Sequence, residues 1–375
     1  MNDKCLAVFF SIGISLKNWT EKGLLNREKL IYEYLIGRGT FNKIYLFTYG
    51  TEDINYQENL KEGIEIVDMP RKFNFKGGFI IYSFLLPLIH KKKLCKCQIL
   101  KTKQIYGAWS AVIAKWICNR PLFVRTGFTL SLFSRYKKKP LRYLASILIE
   151  RFVYWNADYS SVSSDKDYKY IKSKYKVRNL FVNYNYIDIN IFKPIKTDYK
   201  GDLIFVGRLS QQKNIFNLIK GVAKTPYSLH IYGTGELENH IRIYINDNRL
   251  DNIFLKGAIA NSSLPEILNG YKAFILPSFY EGMPKTLLEA MSCGLPCIAS
   301  DRPGNNELIK DNITGVLTDV NYQEIAKKIS TTLGNKRLME KIGKEARKKI
   351  IKDYSIENNI RKEEKIYREI YDEKK

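Results

Sequence analysis

The sequence predicts an α/β protein built as two domains, each around a parallel sheet. Three observations carry this reading. Short apolar runs of strand length alternate with longer segments of helical periodicity. The alternation resets once, near Asn185 to Pro194, where polar residues Lys196 to Lys200 precede a new apolar run, Leu203 to Leu209. The chain also has 375 residues, more than one core usually organises.

In the first half, 5–10, 43–48, 64–67, 97–102, 121–125 and 159–162 read as strands, because each is short, apolar and bounded by turn residues. Helical periodicity marks 27–37, 79–94, 106–118, 141–155 and 166–174. The helix 141–155 carries a broad apolar stripe of Leu141, Leu144, Ile147, Leu148 and Phe152. In the second half, strands are expected at 203–209, 228–232, 253–256, 272–276, 296–299 and 316–318. Helices are expected at 213–223, 236–247, 263–269 and 284–293. The domains run over 1–185 and 200–354, with a linker at about 186–200.

Composition narrows the class. Sixty-two Lys and Arg against 38 Asp and Glu leave a net charge of +24, which favours polyanionic partners: nucleic acid, anionic membrane or phosphorylated ligands. Basic residues cluster at Lys91, Lys92, Lys93 and Lys96, and again at Arg135, Lys137, Lys138, Lys139 and Arg142. The six Cys (5, 95, 97, 118, 293 and 297) show no disulfide framework. His90 with Cys95 and Cys97 lacks a zinc spacing. The run Phe79 to Ile89 falls short of the roughly 20 apolar residues of a membrane span. No small-residue cleavage site follows the first strand, so the expected location is cytoplasmic, soluble or peripheral on the inner face of the membrane.

The most informative segment is Ser278 to Ser300, with two carboxylates, Glu281 and Glu289, that have seven residues between them. Pro284 suits the start of a helix, which puts Glu281 in the loop before it and Glu289 inside it. The unpaired N–H groups of the first turn favour an anion between them. Leu287, Leu288, Ala290 and Met291 supply the apolar face, and Gly294 ends the helix. Upstream, Gly207-Arg208 to Lys213-Asn214 follows a strand and opens a helix. Ligands of open α/β sheets bind at such carboxyl ends, and there a guanidinium fork and a mobile ammonium can both reach a diphosphate. Gly233-Thr234-Gly235 lacks the third glycine of a dinucleotide fingerprint, so it reads as a glycine turn.

The 278–300 string resembles the signature of the retaining glycosyltransferases of family four, which have the GT-B fold: two Rossmann-like domains with parallel sheets facing a central cleft. The resemblance is strong over the second half and rests on layout alone in the first. It implies transfer of a hexosyl or N-acetylhexosaminyl group from a nucleoside-diphosphate sugar, with retention. UDP-sugar is the leading donor and GDP-sugar the next. The acceptor would be a saccharide or lipid-linked saccharide in bacterial surface polysaccharide biosynthesis. No cofactor, metal or nucleic acid is implied. Arg208 and Lys213 would neutralise the leaving diphosphate, together with the N–H groups of Gly282 to Lys285. Glu281 would orient the donor sugar and Glu289 the ribose. Gly207, Gly233, Gly257, Ala258, Met283, Pro284 and Thr286 complete the donor side, with main chain near Gly257 and Ala258 bonding the base. Glu307 would be structural. The helix 355–370 would cross back onto the first domain.

Two departures from the family stand out. Its usual His near a middle strand end of the first domain is replaced by Arg125 or Thr126, since the three His are His90, His230 and His240. The linker reads Asn185-Tyr186 where the family has Asn-Gly. Gly13 and Gly23, in the long loop after the first strand, are the remaining acceptor-side candidates. Asp165-Lys166-Asp167 has the D-x-D spacing of metal-dependent transferases, but Ser163-Ser164 before it makes the acids helix caps. Two rival readings are a basic nucleic-acid-binding protein, which would explain the charge, and an NAD-dependent oxidoreductase, which needs the full glycine fingerprint.

Overall fold

The computed structural model describes residues 4–136 and 138–372. It divides into two compact units. One runs from the N-terminal end to Tyr184 and resumes at Ile360; the other spans Asn185–Asn359.

The first unit is a seven-stranded parallel sheet. Its strands are β1 Cys5–Phe9, β2 Lys43–Phe47, β3 Ile64–Val67, β4 Ile99–Thr102, β5 Leu122–Thr126, β6 Tyr159–Val162 and β7 Asn179–Val182, in the order β3-β2-β1-β4-β5-β6-β7. β1 is wholly buried, as continuous apolar runs in parallel sheets are. β7 is one of the two edge strands, and its polar start hides it from a pattern search. The second unit repeats the plan with six strands: β8 Gly201–Val206, β9 Leu229–Tyr232, β10 Ile253–Gly257, β11 Tyr271–Leu276, β12 Cys297–Ser300 and β13 Val316–Thr318. Their order is β10-β9-β8-β11-β12-β13. In both sheets the order reverses beside the first strand, between β1 and β4 and between β8 and β11.

Some details differ from the sequence reading. The helix expected at 79–94 is two, Gly78–Ile89 and Lys91–Leu94, meeting at His90. Pro87 cannot donate to the Ser83 carbonyl, and that carbonyl accepts the Ser110 hydroxyl instead. Pro284 stands at the N-cap of its helix, which runs Lys285–Ser292. Helices Tyr322–Leu333 and Lys336–Asp353 were not anticipated, although Asn321 and Asn335 cap them through their side chains. Cys95 and Cys118 form a disulfide, their Cα atoms 4.9 Å apart, where no pairing was expected. The bridge joins the ends of two helices that pack together, so tertiary contact rather than spacing creates it.

From Ile360 on, the last helix, Ile356–Asp372, belongs to the first unit and is held there by a buried polar network. Lys101 donates to Glu363 at 2.5 Å and to the Tyr367 hydroxyl at 2.9 Å. Asn183 donates to the second Glu363 oxygen at 3.0 Å. Arg38 holds Glu364 through two parallel bonds.

Candidate active site

The candidate site of the second unit is built on the carboxyl ends of its strands. β8 is followed by Gly207, β9 by Gly233, and β10 ends in Gly257. The Gly207 amide donates to the Tyr232 carbonyl (3.0 Å) and the Gly233 amide to the Gly257 carbonyl (2.7 Å). Gly233 has φ +141, and a Cβ there would lie 1.9 Å from the Gly207 carbonyl oxygen. No side chain fits, so bare backbone lines this edge. Ala258 follows, exposed.

The loop after β8 is pinned to the loop after β11. Asn214 adopts left-handed backbone, φ +57, and its side-chain amide donates to the Pro277 and Val320 carbonyls. The Phe279 amide donates to the Gln212 carbonyl, and the Gln212 side chain to the Tyr280 carbonyl. This brings Lys213 to Glu281, with Nζ to Oε1 at 2.6 Å. Both side chains are largely shielded from water. Gln212 also reaches the other Glu281 oxygen at 3.4 Å. Arg208, by contrast, is exposed and pairs with no carboxylate among the described residues.

Gly282, Met283 and Pro284 lead into the helix Lys285–Ser292. Its first intrahelical bond runs from Leu288 N–H to the Pro284 carbonyl, so the preceding amides have no partner within the helix. Asn185 holds Met283 from below, donating its side chain to the Met283 carbonyl at 2.9 Å. Met283 and Pro284 are buried, while Lys285 and Thr286 are half-exposed. Glu289 is fully buried and accepts from the Asn261 amide at 3.3 Å. Asn261 lies just after β10 and was missed, because a lone Asn in a loop carries no pattern. Gln212 was passed over for the same reason.

The first-unit candidates lie on different elements. Gly13 and Gly23 both turn through left-handed backbone. Gly13 borders a pocket of about 480 Å³ with Ser15, Lys17, Asn18 and Tyr49. The adjacent helix Leu16–Glu21 has its first amides occupied by Ser15 and Asp53. Arg125 lies half-buried in β5, next to its last residue, its amide donating to the Thr102 hydroxyl. Thr126 is fully buried, its hydroxyl paired with Tyr154 at 3.0 Å. Asp165 accepts from the Tyr184 hydroxyl and Asp167 from the Thr129 hydroxyl, while the Asp167 amide donates to the Ser164 side chain, so the two acids serve separate partners. Burial raises the Asp167 pKa above the usual carboxylate range. Among the described residues, no group of three His, Cys, Asp or Glu could hold a metal ion.

Comparison with known proteins agrees with this layout. Residues 187–349 match the family model described as glycosyl transferases group 1. A UDP-Gal:α-D-GlcNAc-diphosphoundecaprenol α-1,3-galactosyltransferase of Escherichia coli is 31% identical over 203 residues, 49% of this chain and 52% of that protein. A poly(ribitol-phosphate) α-N-acetylglucosaminyltransferase of Staphylococcus aureus is 32% identical over 205 residues, 51% of this chain and 40% of that one. The chain spans about half the length of the curated relatives it matches. Among solved structures, sucrose-phosphate synthase of Thermosynechococcus elongatus superposes with TM-score 0.83 at 17% identity, over 98% of this chain and 99% of that one. Anabaena Alr3699/HepE, solved with UDP and glucose, superposes with TM-score 0.75 at 17% identity, over 96% of this chain and 98% of that one. Residues 187–349 thus match the glycosyl transferases group 1 model, and the two parallel sheets of the chain have the GT-B fold.

Proposed function

We propose that this protein is a glycosyltransferase that moves a sugar from a nucleoside-diphosphate donor to a saccharide or lipid-linked saccharide acceptor, with retention at the anomeric carbon. The observation that carries it is the Lys213–Glu281 pair, set beside exposed Arg208 and the first-turn amides of helix Lys285–Ser292. Departure of a nucleoside diphosphate develops negative charge on its oxygens. Arg208, Lys213 and those amides are preorganised donors for that charge. They supply it without a divalent ion, so turnover is expected to persist in chelator. Glu281, held by Lys213 and Gln212, orients the sugar hydroxyls. Buried Glu289, held by Asn261, takes the ribose, and the main chain at Gly257 and Ala258 takes the base. The departing phosphate oxygen receives the acceptor proton, since no further carboxylate is assigned as nucleophile or base.

A UDP-sugar is the preferred donor, supported by the UDP-galactose specificity named for the E. coli relative; a GDP-sugar is the alternative. Surface polysaccharide synthesis at the inner face of the cytoplasmic membrane is the setting we infer, by analogy with the diphosphoundecaprenol-linked and poly(ribitol-phosphate) acceptors named for the two relatives. The basic clusters around Lys91 and Lys138 would draw the protein to anionic lipid; Lys137 lies outside the described residues. Neither the nucleic-acid nor the NAD reading gains support. The experiment is turnover on a panel of UDP- and GDP-sugars with lipid-linked and free saccharides. A single productive UDP-sugar is expected. No transfer from any nucleotide sugar, with binding of plain duplex at physiological salt, would contradict the proposal.

A further inference from the structure

We propose that the first unit inserts an apolar face of three helices into the surface of an anionic lipid bilayer. Helix Gly78–Ile89 buries Tyr82, Ser83 and Leu86 but turns Ile80, Ile81, Phe84, Leu85 and Leu88 to solvent. Helix Pro140–Asn156 buries Ser146, Glu150, Val153 and Tyr154 and exposes Leu141, Leu144, Leu148, Phe152 and Trp155. Their spacing keeps these five on one helical stripe. Leu141 is 82% exposed, and Leu148 and Trp155 are each 69% exposed.

Helix Trp109–Cys118 packs against both and joins the two stripes. Phe84 stacks on Trp109 with centroids 5.8 Å apart, and Trp116 meets Phe152 edge-on at 5.9 Å. A continuous apolar face of this kind is rare on a protein with no partner for it. No helix among the described residues is long and apolar enough to cross a membrane, so the face lies in the interface rather than spanning it.

Charge selects the occupant. From Met69 to Ala157 the chain has eighteen Lys and Arg and a single acid, Glu150. Glu150 is buried and accepts from the Ser131 amide and the Tyr175 hydroxyl. Seventeen of the twenty-four net positive charges therefore arise in this stretch, and no exposed carboxylate does. A second copy would set the same cations against each other. Nucleic acid offers phosphates but no apolar interior for the leucines. A bilayer of anionic lipid offers both, and exposed Trp116 and Trp155 suit its interface. Beside Trp155 a groove of about 730 Å³ is rimmed by Arg151, Lys174 and Lys176, placed for lipid phosphate.

This inference deepens the membrane part of the proposed function and is independent of the donor site. The test is co-sedimentation with phosphatidylcholine vesicles containing phosphatidylglycerol, at low and high salt, with Trp quenching by lipids brominated on the acyl chains. Binding is expected to need phosphatidylglycerol, to retain a salt-resistant part and to quench Trp. Quenching should disappear when Trp116 and Trp155 are both changed to Phe. Leu144→Asp with Leu148→Asp should weaken binding at least tenfold, leaving UDP affinity and melting temperature unchanged; these positions are exposed, so the fold tolerates the change. Unquenched Trp, or vesicle binding that the double substitution leaves intact, overturns the inference. So does a wild-type dimer that the substitution dissociates, which would make a second copy the occupant. Vesicle binding as described with no UDP affinity would instead sink the donor-site reading and leave this one standing.

Discussion

The two sheets of this chain share a strand order but finish their leading strands differently. In the second unit β8 and β9 give way to Gly207 and Gly233 and β10 ends in Gly257, so no side chain projects at these three strand ends. In the first unit the matching strands β1, β2 and β3 give way to Phe10, Thr48 and Asp68. Phe10 is buried and stacks on Trp19 with centroids 4.4 Å apart, and Thr48 is fully buried. Farther along the sheet, Lys101 and Thr126 spend their polar atoms on Glu363, Tyr367 and Tyr154. One sheet ends these strands in glycine, and the other fills the same positions with side chains. The first unit's free surface lies on its helices instead.

The contrast can be broken most severely in the first unit. Glu363→Ala would strand the Lys101 ammonium in a site where its side chain is 3% exposed. Removing one partner of such a buried pair costs about 3–5 kcal/mol. Denaturant unfolding should show this loss, with UDP affinity of the folded protein preserved. A loss below about 1 kcal/mol would mean the network does not hold the last helix.

Next in size is Gly233→Ala. The added methyl must displace the Gly207 carbonyl and adopt φ +141. Strain and overpacking together cost about 2–4 kcal/mol, and donor affinity should fall with stability. Gly257→Ala, at φ +73 with open space around it, should cost only about 1 kcal/mol. Equal effects at the two positions would show that the close approach of strand ends is unimportant.

Lys213→Ala and Arg208→Ala should each lower kcat at least about tenfold, or about 1.4 kcal/mol of transition-state stabilisation. Their effects should not add, since both act on one diphosphate. Full kcat in the double variant would remove the cations from the mechanism.

The smallest effect returns to the first unit. Burial, with Lys93 nearby, pushes His90 down to about 4. The unfolded chain therefore binds the proton first as pH falls. Stability is fully present above about pH 6.5 and is lost as pH drops toward 4. The ring is partly open to solvent, which leaves on the order of 1 kcal/mol. The difference in unfolding free energy between wild type and His90→Gln should change by that amount from pH 7 to 4.5. A pH-independent difference would contradict it.

The same contrast explains what could be read from the sequence. Glu281, Glu289, Arg208 and Lys213 stand out because a phosphate and its neighbouring hydroxyls demand those side chains at strand ends and a helix start. The sequence also separated the two parallel sheets, since continuous apolar strands leave an unmistakable pattern. Asn261 and Gln212 escaped notice because each acts through one contact set by tertiary folding. The Cys95–Cys118 bridge was invisible for the same reason. The exposed faces of helices Gly78–Ile89 and Pro140–Asn156 look, in sequence, like core stripes. Only their lack of a covering layer reveals otherwise.

The central claim is that the second unit holds a nucleotide through Glu289 and the strand-end glycines. Calorimetric titration of UDP into wild type and Glu289→Ala tests it most directly. The wild type should bind UDP, and the variant should bind at least about tenfold more weakly, because the ribose contact exists in the ground state. An unchanged Kd in a folded Glu289→Ala protein, or no binding of UDP or GDP by the wild type, would contradict it.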